Sequence, residues 1–87
     1  MTKVEYAATI SWQVLDDEVY IINEKNKRVY VLDNSAKDFW LAIEKRSLDK
    51  ICQALCAQYC ADADCIRADL HDFIADLDKL ELVEVSD

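Results

Sequence analysis

The chain has 87 residues, 53% of them hydrophobic, with no glycine, no proline and a formal net charge of −8. That length fits one domain with a modest core and little room for a deep, water-excluded active site. The charge is uneven: residues 1–61 carry nine acids and eight bases, whereas residues 62–87 carry nine acids against Arg67 and Lys79. Such a surface repels a phosphate backbone, which argues against nucleic acid as a partner. Neither a signal-type apolar stretch nor an apolar run long enough to span a bilayer stands out. The expected location is the cytoplasm, where the four cysteines stay reduced, and no membrane partner is expected.

Residues 1–9 read as a loosely ordered lead-in to a domain over residues 10–87. Ile10, Trp12 and Val14 alternate with polar residues, the period of a half-buried strand. Asp16, Asp17 and Glu18 form a turn of two or three residues. Residues 19–22 are β-branched and aromatic, hence a second strand, and residues 28–32 form a third. Between them lies a polar loop, with Asn26 the expected left-handed residue. A symmetric loop pairs Ile22 with Val29, Ile21 with Tyr30 and Tyr20 with Val31. Both faces of that hairpin are then apolar, so one packs on helices and the other needs a second cover.

After Leu32 the period changes to that of a helix. Asn34 or Ser35 is the expected cap, and Ala36, Phe39, Trp40 and Ile43 fall on one stripe. Arg46 ends this helix and Ser47 caps the next, whose stripe is Leu48, Ile51, Leu55 and Tyr59. Asp62 and Asp64 open a third helix, where acids suit the positive end of the helix dipole. Its stripe is Ile66, Leu70, Phe73, Leu77 and Leu80, flanked by Ile74. Val83 and Val85 fit a short terminal strand. The fold class is α+β: an N-terminal three-stranded antiparallel sheet followed by three helices, the last two like a helix-turn-helix.

Few constellations carry chemistry. Cys52, Cys56, Cys60 and Cys65 follow a C-x3-C-x3-C-x4-C spacing that matches no common zinc or cluster pattern. Sulfurs at i, i+4 lie along a line on a helix, so they read as packing residues rather than metal ligands, with Cys60 or Cys65 at the surface. His71 is the sole histidine and reads as a surface or groove-edge residue. The carboxylates form no recognisable motif, and a glycine-free chain has no Gly-rich phosphate loop. No enzyme, metal or cofactor is expected.

Three segments resemble a known family: Glu18-Val-Tyr-Ile-Ile, then Arg28-Val-Tyr-Val-Leu-Asp-Asn-Ser-Ala, then Phe39-Trp40. The later Ser47-Leu-Asp-Lys-Ile with Leu55 and Tyr59 extends the match, as does Ile66-Arg-Ala-Asp-Leu with Phe73, Ile74 and Leu77. Together these are similar to the pyrroloquinoline quinone biosynthesis protein D family of precursor-peptide recognition elements, over about residues 10–85. The resemblance implies a winged helix-turn-helix-like fold with its strands before its helices. It implies that the leader region of a ribosomal precursor peptide adds as a strand to the edge of strand three and lies beside helix three. The partner enzyme would be a separate maturation enzyme of radical SAM, protease or cyclase type. The candidate peptide contacts are Lys27, Arg28, Val29, Tyr30, Val31 and Leu32 on the strand, and Arg67, Leu70, His71 and Ile74 on the helix. The competing readings are a helix-turn-helix DNA-binding regulator, which needs base-reading polar residues that helix three lacks, and a general protein adaptor.

Overall fold

The computed structural model describes residues 2–86. In chain order it contains β1 (Lys3–Tyr6), β2 (Ile10–Leu15), β3 (Glu18–Asn23), β4 (Val29–Leu32), α1 (Asn34–Ala42), a 3-10 turn (Ile43–Lys45), α2 (Leu48–Tyr59), α3 (Ala63–Lys79) and β5 (Val83–Ser86). Strands β2, β3 and β4 form an antiparallel sheet in that order, and β1 pairs with β5 in a second, two-stranded sheet. The α+β class holds, with a sheet arrangement richer than three strands.

The second sheet corrects the reading of residues 1–9 as loose. Val4 is fully buried, and β1 lies antiparallel to β5 with Val4 opposite Val85 and Tyr6 opposite Val83. The alternation Lys3, Val4, Glu5, Tyr6 is a strand signal, but a short one. Its partner lies at the other end of the chain, so no local pattern announces the pairing. Met1, the first residue of that stretch, lies outside the described residues.

The register of the main hairpin follows from its loop. Ile22 faces Val29, Ile21 faces Tyr30 and Tyr20 faces Val31. The buried Asn23 organises this loop: its Oδ1 accepts from the backbone N–H groups of Lys25 and Asn26 at 2.9 and 3.4 Å. Lys27, not Asn26, takes the left-handed conformation, with φ of 63°. Asn26 acts through its side chain instead, its Oδ1 accepting from Arg28 N at 3.0 Å. The β2–β3 turn has two central residues, because Leu15 pairs with Glu18. Asp16 and Asp17 both have positive φ, 52° and 63°, as a mirror-image hairpin turn requires.

Val19 and Ile21 are buried against the helices, and Tyr30 and Leu32 share their face, half-buried. Trp40 of α1 is fully buried, and Tyr6, Trp12 and Trp40 form an aromatic cluster with ring centroids 4.7–5.8 Å apart. Ile43, Ile51, Leu55, Leu70 and Leu82 complete the centre of the core. The stripes of α2 and α3 run off the core at their ends, where Tyr59 and Leu80 are both 39% exposed. At the start of α1, Asp33 rather than Asn34 or Ser35 occupies the cap position, and Asn34 has φ of 50°. Ser47 and Asp62 stand at the caps of α2 and α3, and Asp62 accepts from Asp64 N at 2.9 Å.

Candidate functional site

Among the described residues, strand β4 has β3 on one side and no strand on the other, so one edge of its backbone is free for pairing. Val29 and Val31 point away from the helices, 60% and 49% exposed, while Tyr30 and Leu32 lean toward the helical side. Lys27 and Arg28 are exposed just before the strand begins. All six strand-side candidates therefore lie along one free edge or at its entrance.

Beside the far end of this edge, where β4 turns into α1, lies a cleft of about 400 Å³. Ser35, Ala36 and Phe39 of α1 line one side, and Ile66, Asp69 and Phe73 of α3 line the other, with Tyr59 and Ala61 at the base of α3. The walls are aromatic: the Phe39 and Phe73 rings meet edge-on at 5.6 Å, and Tyr59 lies 6.5 Å from Phe39. The Tyr59 hydroxyl donates to the Asp38 carboxylate. That bond, partial burial and the Asp38 charge together push the phenol up to about 12.

The helix-side candidates lie apart from this cleft. Leu70 is fully buried and Ile74 is 7% exposed, and neither borders the cleft. Arg67 is exposed, but its guanidinium reaches across to Asp49 of α2 at 3.3 Å. His71 is exposed one turn further along the same flank. At about 100° per residue, Arg67 and His71 lie roughly 160° around the helix from Asp69 and Phe73, respectively. The wall of the cleft is therefore Ile66, Asp69 and Phe73, with Asp72 and Asp76 continuing the acidic flank. Sequence reasoning placed Phe73 and Tyr59 in the core. The available signal was that Phe73 sits at the edge of its apolar stripe, on the side of α3 that also carries Asp69.

Among the described residues, no group of three or more His, Cys, Asp and Glu side chains is arranged to hold a metal ion. Cys52 is buried, and its sulfur lies 4.0 Å from that of the half-buried Cys56, whose thiol is pushed up chiefly by burial and also by Cys52. Cys60 and Cys65 are exposed. No helix among the described residues is long and apolar enough to cross a membrane.

The chain is similar to two structures. One is TbiB1 in complex with the TbiA(beta) leader peptide: 27% identity, 92% of this chain and 94% of that one, TM-score 0.85. The other is lasso peptide synthetase B1 complexed with the leader peptide: 13% identity, 94% of this chain and 98% of that one, TM-score 0.81, a likeness of fold. No curated protein matches. The family model of coenzyme PQQ synthesis protein D matches residues 18–83, a span that contains β3, the free β4 edge and all three helices. The chain belongs to the coenzyme PQQ synthesis protein D (PqqD) family.

Proposed function

We propose that this protein is a non-catalytic recognition domain that captures the leader region of a ribosomally made precursor peptide and presents it to a separate maturation enzyme. The observation that carries the reading is the free edge of β4 beside an aromatic cleft, in a fold that TbiB1 shares in a complex with a leader peptide. An extended peptide that pairs with β4 gains backbone hydrogen bonds along residues 29–32, and its alternate side chains turn toward the helices. One apolar side chain of the leader then enters the cleft against the Phe39–Phe73 pair, beside Asp69.

An adaptor role suits the lining. Neither His71 nor any cysteine borders the cleft. The exposed flank of α3 carries Asp69, Asp72 and Asp76, a poor surface for DNA. The precursor is a ribosomal product, so the cytoplasm is the place of capture. The maturation enzyme, of radical SAM, protease or cyclase type, acts on the core segment while this domain holds the leader.

The test is a fluorescence-anisotropy titration with synthetic leader peptides encoded beside the gene, paired with hydrogen exchange. Saturable binding that slows exchange at residues 29–32 supports the reading. Binding that protects the exposed flank of α2 and leaves β4 unchanged overturns strand addition.

A further inference from the structure

The cleft beside β4 carries a single formal charge. Phe39, Phe73 and Tyr59 give it aromatic walls, and Asp69 is the one ionisable carboxylate among its described lining residues, with no base beside it. Among the described residues, no ion pair engages Asp69. Arg67, two positions away on α3, is held by Asp49 at 3.3 Å, and Lys37 of α1 reaches Asp17 at 3.8 Å. Two further acids stand at the rim. Asp38 accepts from the Tyr59 hydroxyl, and Asp33 occupies the cap position of α1, where its charge offsets the positive end of that helix.

A carboxylate beside aromatic faces suits a cation. A lysine or arginine side chain lays its aliphatic stem on the rings and carries its charged head to the acid. An acidic side chain at that point meets like charge, and an apolar one covers Asp69 without giving it a partner. The spacing fixes where the base must stand. Helix α3 runs alongside β4: its first half borders the cleft at one end of the strand, and Asp78 shares a depression with Lys25 of the β3–β4 loop at the other. Asp69 and Phe73 are one turn apart, about 6 Å along the helix axis. Side chains on one face of an extended peptide are about 6.6 Å apart. A peptide strand on β4 that sets an apolar side chain against the Phe39–Phe73 pair therefore brings its same-face neighbour, two residues away, to Asp69.

We propose that Asp69 is a specificity-determining residue, which selects leaders that carry a lysine or arginine two residues from the apolar anchor. This rests on the leader reading and narrows it to a class of sequence. Asp72 and Asp76, further along the same flank, extend the negative field and favour encounter with a basic segment, while Asp69 fixes the position of the base.

Random dodecapeptides displayed on phage and selected on the full chain at low salt test the assignment. Peptides that bind and slow hydrogen exchange at residues 29–32 should carry Lys or Arg two positions from an aliphatic or aromatic residue. Selection on Asp69→Lys should turn that position to Asp or Glu. In a selected peptide, methionine in place of the base should weaken binding about three- to tenfold at low salt and less at high salt. The same replacement should change affinity for Asp69→Asn by less than about twofold. Asp78→Asn, at an acid of the same helix outside the cleft, should bind like the parent. Peptides that protect β4 without a base at that spacing, or a preference for a base that Asp69→Asn leaves intact, overturn the assignment and leave the leader reading standing. If no selected peptide slows exchange at residues 29–32, the leader reading itself fails, and this assignment with it.

Discussion

The hydroxyl of Tyr6 donates a 2.7 Å hydrogen bond to the main-chain carbonyl of Trp40. This one contact ties β1, from the first residues of the chain, to the helix that carries the centre of the core. It fixes the two-stranded sheet against α1 and completes the aromatic cluster with Trp12.

The Tyr6 contact gives a pH signature. Burial first and the Glu44 charge second push the phenol up to about 12 from an ordinary value near 10, against a smaller lowering by a Glu44 backbone hydrogen bond. A group whose folded pKa is raised stabilises the fold fully below its unfolded pKa and loses that effect as pH climbs through the folded one. Stability should therefore fall between about pH 10 and pH 12, in part through Tyr6 and, in the same direction, through Tyr59. Tyr6→Phe should cost about 1 kcal/mol at neutral pH and flatten the alkaline loss. Urea midpoints at pH 7, 9 and 11 check this, and equal alkaline slopes in the two proteins would count against it.

A second expectation concerns backbone conformation. Arg46 sits after the 3-10 turn with φ of 68° and ψ of −38°, where a β-carbon is crowded. Its N–H bonds to Ile43 O and its carbonyl accepts from Val4 N at 2.7 Å, so the geometry is held from both sides. Arg46→Gly should stabilise the protein by about 1 kcal/mol, although glycine usually loosens a chain. A lowered melting temperature would show that the arginine side chain contributes more than its backbone costs.

Much of the fold was legible because it is written in local periods. The alternation over Ile10, Trp12 and Val14, the symmetric loop after Ile22 and the helical stripes through Trp40, Leu55 and Leu70 each depend on neighbours a few residues apart. What depends on distant contacts was not legible: β1 needs β5, and the left-handed residue at Lys27 follows from how Asn23 and Asn26 use their side chains. That β4 ends the sheet was readable for the same local reason. Which residues of α3 border the cleft was not, because a stripe alone does not say which of its two flanks opens to a cleft. Arg67 and Asp69 are two residues apart in sequence and on nearly opposite sides of α3, and only the packing of α1 and α2 separates them.

That separation makes the third expectation. Phe73→Ala should weaken leader binding about tenfold or more, since it removes an aromatic wall of the cleft. Asp69→Lys should change which leaders bind while leaving the melting temperature close to that of the parent. Arg67→Ala and His71→Ala should leave affinity within about twofold, because exposed charges away from the contact are worth little. Anisotropy titrations beside melting curves decide it. A large loss at His71 with none at Phe73 would return the groove to the opposite flank.

The fourth expectation concerns how the leader is oriented. A peptide antiparallel to β4 enters beside Leu32 and the cleft and leaves beside Lys27 and Arg28. Its C-terminal end then meets two exposed bases, while the segment next to α3 meets Asp69, Asp72 and Asp76. The fitting leader has apolar anchors in the middle, few acids on the side facing the helix, and acidic residues toward the end of the recognition segment. Exposed pairs contribute only about 0–1 kcal/mol each, so the backbone and the apolar anchors set the affinity and the charges tune it. Lys27→Glu with Arg28→Glu should weaken binding of such a leader at low salt, and the difference should shrink at high salt as screening shortens the reach of the charges. Moving the acids from the C-terminal to the N-terminal end of the peptide should erase the effect if the strands are antiparallel. If instead the peptide with N-terminal acids becomes the more sensitive one, the leader runs parallel to β4. If the double reversal changes neither peptide at low salt, the bases only guard an exposed sheet edge against wrong pairing.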